Sequence, residues 1–175
     1  SERLTAEVRR DGFTWTQNTQ IDTVVSGGGA TKAYWQVTQD IGQPNRFWAV
    51  AGNSCASSGA QSGDVLTSVD GGVTWTNDLN VQTKFGAASG RLALGVGSAG
   101  QMYALIGDCT GNTNKVAVRK AYGPWTLGAT PPSILAGQGN YDIAVGVDPT
   151  NANHVVFAGV YLYASTKGAV GTKAY

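Results

Sequence analysis

The sequence of 175 residues is poor in charge, in cysteine and in long apolar runs. Charged residues make up 13% of it, about half of the usual share of roughly 25%, and the net charge is +1. This balance gives no electrostatic basis for binding nucleic acid or an anionic membrane. No apolar run approaches the roughly 18 residues that span a bilayer, so we expect no membrane span. Two cysteines are too few for a disulfide framework.

Residue types that carry catalysis are also scarce. The only histidine is His154, and the only glutamates are Glu2 and Glu7. No partner stands at catalytic spacing from His154, so no triad can be assembled and we expect a surface turn residue there. The loop that contains Asp108 and Asn112 offers oxygen ligands but lacks the acid count of a known calcium loop. We therefore predict no metal and no cofactor.

Glycine, by contrast, is abundant, and with it the residue types of strands and turns. The chain contains 25 glycines, about twice the average share of roughly 7%. Five tryptophans and seven tyrosines stand among many Thr, Ser, Asn and Val residues. This composition is typical of short strands joined by tight turns, and it excludes a helical bundle.

Tryptophans in similar settings mark an internal repeat. Trp75 and Trp125 are 50 residues apart, and a further 50 reach Tyr175. Trp15 stands in a related Gly-Phe-Thr-Trp-Thr context. A period near 50 in a glycine-rich strand sequence is typical of propeller blades with four strands each.

Each unit divides into strands in the same way. Residues 92–96 and 143–147 alternate large apolar side chains with Ala or Gly, which predicts inner strands buried on both faces. The predicted second strands are 47–51, 102–106 and 155–158. The predicted third strands are 65–68, 115–119 and 161–165. The fourth strands are expected to carry the Trp or Tyr.

The predicted fold is all-β, an incomplete β-propeller of about three and a half four-stranded antiparallel blades. The blades are predicted at 32–80, 88–131 and 139–175, and residues 1–19 form a preceding outer half-blade with strands at 4–10 and 13–19. Because a propeller does not close with fewer than about four blades, we expect residues 1–175 to belong to a larger propeller. Its remaining blades, or a neighbouring chain, are the expected partners.

One eight-residue segment carries a family resemblance. Ser68-Val69-Asp70-Gly71-Gly72-Val73-Thr74-Trp75 matches the pattern Ser-x-Asp-x-Gly-x-Thr-Trp. It resembles the Asp-box of the BNR-repeat propellers, which include sialidases, xyloglucan-specific endoglucanases and sortilin-type receptors. The segment 141–151 also resembles an inner-strand signature of the endoglucanase and sortilin branch. The last blade has Lys167 in place of the Asp, and residues 119–123 have lost the motif.

The resemblance implies a structural turn away from the ligand face. The residues expected to form it are Ser68, Asp70, Gly72, Thr74 and Trp75. In such propellers the ligand face is the opposite one, where the loops between second and third strands meet the connections between blades. The candidate ligand-binding residues on that face are Tyr141, Asn140, Arg91, Trp35 and Tyr34. Aromatic rings and polar acceptors there would suit a sugar.

Two carboxylates on the same face are the candidate catalytic pair. Glycoside hydrolysis needs two carboxylates about 5 to 9.5 Å apart, and Asp142 and Asp108 come from adjacent blades. The structural alternative is that Asp142 caps a strand or binds a nearby amide. Sialidase activity is not expected, because the arginine cluster and the supporting glutamate of that family are absent.

The two cysteines occupy similar loops on consecutive blades. Cys55 and Cys109 each follow a predicted second strand. Adjacent blades bring such loops close together, and a disulfide needs a Cα–Cα separation of about 4.4 to 6.8 Å. We predict a Cys55–Cys109 bridge, which implies an oxidising compartment. The protein is then extracellular or at the cell surface, with the periplasm as a further option.

Two functions fit this sequence. The first is a secreted or cell-surface propeller that acts as a binding or assembly module for a glycan or a protein. The alternative is a carbohydrate-active glycoside hydrolase of the endoglucanase type with paired carboxylates. The first is favoured, because no complete catalytic constellation is present.

Overall fold

The structure, a computed structural model, describes residues 7–9, 15–26, 32–53, 63–86 and 89–170. These ranges contain short antiparallel strands and two single-turn helices. The strands are β1 (Glu7–Arg9), β2 (Trp15–Gln17), β3 (Lys32–Gln39), β4 (Phe47–Asn53), β5 (Asp64–Ser68), β6 (Thr76–Asn80), β7 (Leu92–Val96), β8 (Met102–Gly107), β9 (Thr113–Arg119), β10 (Thr126–Leu127), β11 (Ala144–Val147), β12 (Val155–Ala158) and β13 (Leu162–Ser165). The helices are α1 (Ile21–Val24) and α2 (Val81–Phe85). Neither helix is long enough to cross a membrane, and the described part of the chain has no other candidate for a helical span.

The strands form four separate sheets in which sequence neighbours pair. The first blade is β3-β4-β5-β6, the second is β7-β8-β9-β10, and the third has β11-β12-β13 within the described residues. Strands β1 and β2 form the two-stranded half-blade that precedes them. Every pairing is antiparallel, so each sheet is a simple meander.

Both faces of the middle strands β4 and β8 are buried. The alternation of large and small residues predicted this for the inner strands, and β7 agrees with it, but Ala144 and Gly146 of β11 are exposed, so that prediction is wrong for β11. In β4, Trp48 and Val50 pack in the core between the first and second blades, while Ala49 and Ala51 pack on the opposite face with α1. In β8, Tyr103 contributes to the core between the second and third blades. Each of these blades is therefore sandwiched between neighbours.

The innermost strands of the three blades lie next to each other. β3 contacts β7, and β7 contacts β11. Gly95 of β7 makes the second approach possible, because a β-carbon at Gly95 would lie 2.5 Å from Cγ1 of Val145 and 2.8 Å from Cγ2 of Val147. The three sheets are thus stacked side by side around their inner strands, which is how blades pack in a propeller.

The blades have two edges that differ in their connections. We call upper the edge with the loops at 108–112 and 159–161 and the connections between blades at 81–91 and 128–143. We call lower the edge with the turns at 40–46, 97–101, 148–154 and 69–75. The residues predicted to bind a ligand lie towards the upper edge, and the motif that resembles an Asp-box lies at the lower edge.

The strand predictions differ from the structure in detail. β7 covers the predicted residues 92–96, but Trp75 and Trp125 precede β6 and β10 and do not lie within them. Their rings are buried under the turns, so the strand begins one residue later. The described strands β1 and β2 are shorter than the predicted 4–10 and 13–19, and the predicted last strand with Tyr175 lies outside the described residues. The helices α1 and α2 were not predicted.

Candidate functional site

Residues from three blades meet near the upper edge, where the inner strands begin. Trp35 lies in β3, Arg91 precedes β7, and Asn140 and Tyr141 precede β11. Because β3, β7 and β11 are neighbours, each blade contributes to one continuous surface. We call these four residues the Trp35–Arg91 site.

Arg91 connects the parts of this site. Its guanidinium carbon lies 4.8 Å from the centre of the Trp35 ring, and its Nη1 donates to the backbone oxygens of Asn140 at 2.9 Å and Tyr141 at 3.3 Å. A cation–π contact of this kind contributes about 0.5–1 kcal/mol at an exposed position. The Nε of Arg91 is buried and has no hydrogen-bond partner within the described residues. Arg91 is thus held in place by the Trp35 ring and by the backbone that precedes β11.

One edge of the Trp35 indole packs against the backbone of β4 at Gly52, and the ring is otherwise partly exposed to solvent. A β-carbon at Gly52 would overlap the Trp35 Nε1 atom, so the indole depends on glycine at this point of β4. The side chain of Trp35 remains 38% exposed, and Tyr141 is 76% exposed. Two aromatic rings are therefore presented to solvent from a fixed framework, which is typical of a binding surface.

A shallow cleft lies beside these rings. It has a volume of about 230 Å³ and is lined by residues of all three inner strands. The lining residues are Trp35, Gln36, Arg91, Leu92, Ala93, Ile143, Ala144 and Val145. Pockets for small molecules usually measure about 300–1,000 Å³. This cleft is suited to one ring or side chain of a larger ligand.

Gln36 lines the cleft and bonds to the second blade, and no sequence pattern indicated this role. Its Oε1 accepts from the backbone N–H of Leu94 at 2.8 Å, and its Nε2 donates to the backbone oxygen of Leu94 at 2.7 Å. The side-chain amide thus bonds to the second blade as a strand backbone would. This pair of bonds sets the separation of β3 and β7 and so the position of Trp35 relative to Arg91.

The two candidate catalytic carboxylates have different surroundings. The Oδ1 of Asp108 accepts from the N–H and the hydroxyl of Thr110 and from the N–H of Asn112, at 2.7–2.9 Å. These bonds close the turn at 108–112, so Asp108 has a structural role in its own loop. Asp142 is exposed next to Tyr141, and its backbone N–H donates to the oxygen of Gln138 at 2.9 Å.

Tyr34 is partly exposed, but its hydroxyl is already bonded within the protein. Its hydroxyl donates to Asp22 at 2.5 Å, which ties β3 to α1. Asp64, at the same edge, is fully buried and accepts from Ser26 and from the side-chain amide of Asn77. Both residues therefore support the upper edge from within.

Of the two cysteines in the predicted disulfide, the structure describes Cys109. Cys109 follows β8 in the upper-edge loop at 108–112, as expected from the repeat. Cys55 lies outside the described residues. The Cys55–Cys109 bridge stays a prediction.

At the lower edge, the segment Ser68–Trp75 forms a tight hydrogen-bonded turn between β5 and β6. Asp70 accepts from the N–H and the hydroxyl of Thr74, and Ser68 Oγ accepts from the N–H of Gly72. Trp75 Nε1 donates to the oxygen of Gly72 at 3.0 Å. The Thr74 hydroxyl and N–H, with Ser68, lower the pKa of Asp70 to about 2. The Asp70 carboxylate bonds within the turn, whereas the turn backbone also bonds to the side chains of Asn18 and Gln20.

The third blade keeps the geometry of this turn without the carboxylate. Ser165 Oγ accepts from the N–H of Lys167 at 3.2 Å and of Ala169 at 3.1 Å, as Ser68 Oγ does in the first blade. Gly168 and Ala169 have φ values of 66° and 52°, both in the left-handed region. The buried serine alone is therefore enough to define the turn.

In the second blade, contacts to the first blade replace the motif. Tyr122, at φ 57°, donates from its hydroxyl to Asp40 at 2.7 Å. Burial and then the Asp40 carboxylate raise the pKa of Tyr122. Arg119 pairs with Asp78, which also accepts from Trp125 Nε1 at 3.1 Å. The second and first blades are thus joined along the lower and outer parts of their interface.

A second cleft lies over that ion pair. It has a volume of about 360 Å³ and is lined mainly by residues that follow β5 and β9. Its lining residues are Asp78, Leu79, Asn80, Thr83, Lys84, Arg119, Gly123, Pro124 and Trp125. Within this cleft, the charges of Arg119 and Asp78 are paired with each other.

No described group of three or more His, Cys, Asp or Glu residues is arranged to hold a metal ion. His154 lies on the lower edge, where its Nδ1 is 3.5 Å from an oxygen of Asp148. The Thr150 hydroxyl and N–H lower the pKa of Asp148. These exposed side chains belong to the turn between β11 and β12.

Comparison with solved structures identifies the architecture. The chain is similar to YCF48 from Cyanidioschyzon merolae, a β-propeller protein, with a TM-score of 0.51 and 14% sequence identity. The fold is β-propeller-like. The similarity covers 82% of this chain but 40% of YCF48, so the chain spans less than half of that protein's length. The predicted fold class, an all-β incomplete propeller, is confirmed.

Comparison by sequence adds no family. No family model matches the chain, and no curated protein matches it. At 14% identity the structural similarity shows the fold alone. The function therefore has to be argued from the surface of the molecule.

Proposed function

We propose that this chain is the scaffold of a non-catalytic binding or assembly module whose ligand meets the Trp35–Arg91 site. The observation that supports the proposal most is the convergence of three blades on Arg91, which stacks on Trp35 and bonds to the backbone before β11. A surface built from several blades and held by backbone contacts is preorganised for binding. The site combines exposed aromatic rings with the positive charge of Arg91.

The chemistry of the site defines what it can hold. Trp35 and Tyr141 present ring surface to a flat apolar group, and the guanidinium of Arg91 places a positive charge beside the Trp35 ring. A sugar ring with its hydroxyls suits this combination, and so does a side chain on a loop of a partner protein. Because the adjoining cleft is only about 230 Å³, the ligand inserts one group and remains mostly outside.

The lower-edge turn supports a finer assignment to the Asp-box propellers. The hydrogen bonds of Asp70 and Ser68 give the segment a structural use, as expected of an Asp-box turn. We extend the proposal to a secreted or cell-surface location, which depends on the predicted Cys55–Cys109 bridge. The hydrolase alternative has less support, because Asp108 is engaged by three donors of its own loop.

Site-specific photo-crosslinking tests the proposal. A photoreactive phenylalanine analogue replaces Tyr141, and a control carries it at Val69, an exposed residue of the lower-edge turn. We expect a discrete adduct from cell-surface or secreted material with the probe at position 141 and none at 69. Loss of that adduct in Trp35→Ala would place the ligand on the site. Equal adducts at the two positions would contradict the proposal.

A glycan array distinguishes the two ligand classes. Binding to defined glycans that is lost in Tyr141→Ala and kept in Val69→Ala identifies a sugar ligand. Binding by the array together with glycan cleavage would instead support the hydrolase alternative. Asp142→Asn is the variant that would then abolish cleavage.

A further inference from the structure

The third blade has one buried face and one exposed face, and both are apolar. Val145, Val147, Val155 and Phe157 pack against the second blade. The residues between them in sequence point the other way. We call this other side the outward face, and it consists of Ala144, Gly146, Val156, Ala158, Leu162 and Ala164. Leu162 is 70% exposed and Val156 is 37% exposed.

The equivalent face of the second blade shows what such a surface does. The β8 residues Tyr103 and Leu105, at the positions of Val156 and Ala158, are fully buried by the third blade. The equivalence follows from the strand register. Met102 is the first residue of β8 and pairs with Arg119, as Val155 is the first residue of β12 and pairs with Ser165. The outward face of the second blade is thus an interface between blades.

A pair of glycines makes the comparison sharper. Gly95 and Gly146 occupy the same position of the inner strands, in Leu94-Gly95-Val96 and Val145-Gly146-Val147. The space over Gly95 is filled by the methyl groups of Val145 and Val147, whereas a β-carbon at Gly146 would have no atom of the described residues within 4 Å. Gly146 therefore leaves an open niche of the shape that β-branched side chains fill at Gly95.

We infer that the outward face of the third blade is an interface for a further blade of the same propeller. That blade presents aliphatic side chains, β-branched ones over Gly146, from its own inner strand. Three further outward residues are alanines, so the facing blade carries larger apolar side chains for the space above Ala144 and Ala164. This inference is independent of the proposed binding function.

A second copy of this chain fits the face less well. Four of the six outward residues are Ala or Gly, so two outward faces against each other would leave much of the space above these small residues unfilled. The first blade of another copy cannot replace the missing blade either, because α1 already covers the outer part of its free face through Ile21 and Val25. A self-associated dimer is therefore an alternative that the experiment has to detect.

Hydroxyl-radical footprinting of the protein produced from its complete gene tests the inference. Leu162 is the probe, and Leu127, which is 54% exposed on the outer strand β10, is the internal control. We expect oxidation of Leu162 to be at least about tenfold lower than that of Leu127. Equal oxidation of the two leucines would overturn the inference. Protection that appears only at high protein concentration would also overturn it, because it would identify a second copy as the occupant.

A variant at the niche gives a second readout. In the same protein, Gly146→Val overfills a closed niche and should lower the unfolding midpoint by about 2–8 °C. Gly146→Ser is the smaller control and should have a smaller effect. An unchanged or higher midpoint for Gly146→Val would show that the face is open to solvent and would contradict the inference.

Discussion

Replacing Gly95 by alanine tests the packing of the second blade on the third. The new methyl carbon would lie 2.5 Å from Cγ1 of Val145 and 2.8 Å from Cγ2 of Val147, both well inside ordinary contact. Overpacking of this kind costs about 1–3 kcal/mol. Alanine restricts the unfolded chain more than glycine does, and this offsets about 0.4–1 kcal/mol of the lost free energy of unfolding. We expect Gly95→Ala to destabilise the 175-residue chain by about 1–2 kcal/mol.

Urea unfolding followed by tryptophan fluorescence measures this effect. A loss of about 1–2 kcal/mol corresponds to a fall of about 2–8 °C in the unfolding temperature of a chain of this size. Gly146→Ala is the matched control, because no atom of the described residues lies within 4 Å of its added carbon. We expect it to be neutral or slightly stabilising in the 175-residue chain.

A double variant identifies the cause. Val145→Ala removes the methyl group nearest to the new carbon, so Gly95→Ala should cost less in that background than in the wild type. If Gly95→Ala unfolds at the same or a higher urea concentration than the wild type, the close approach of β7 and β11 is wrong. Strict additivity of the two changes would show that they do not touch.

Three further predictions concern the lower edge, the ion pair and the cysteines. The pKa of Asp70 is about 2, below its unfolded value of about 4. Its carboxylate therefore stabilises the fold above about pH 4 and loses this effect as the pH falls towards 2. We expect Asp70→Asn to lower the urea midpoint at pH 7 and to have little effect near pH 2. Arg119→Met leaves the mostly buried Asp78 unpaired, and we expect a loss of about 3 kcal/mol that adding Asp78→Leu partly restores in thermal melts. Mass spectrometry after alkylation without a reductant should find neither Cys55 nor Cys109 labelled, and full labelling of both thiols would end the disulfide prediction.

The sequence was sufficient to predict the alternation within the inner strands. Large and small residues alternate in β7 and β11, and a period of two assigns them to opposite faces of a sheet. Because both faces were apolar, we expected each strand to lie between two neighbours. This is correct for β7, whereas one face of β11 is exposed within the described residues. The same reasoning identified Arg91 and Trp35 as residues of one edge, since each stands at the start or near the start of an inner strand.

The sequence was not sufficient for contacts between residues far apart in the chain. Gln36 bonds to Leu94, and Arg119 to Asp78, over separations that no local pattern encodes. The role of Asp108 was missed for another reason. A carboxylate that closes its own loop and one that faces a substrate look alike in sequence, and only the three donors around Asp108 distinguish them.

An experimental structure of the complete protein tests the central interpretation most directly. We predict that β3, β7 and β11 lie side by side as the inner strands of successive blades, with the methyl groups of Val145 and Val147 seated over Gly95. Arg91 should stack on Trp35 at the upper edge of the same three blades. A sandwich or barrel in which β7 and β11 belong to different layers would contradict both the fold and the site built on it.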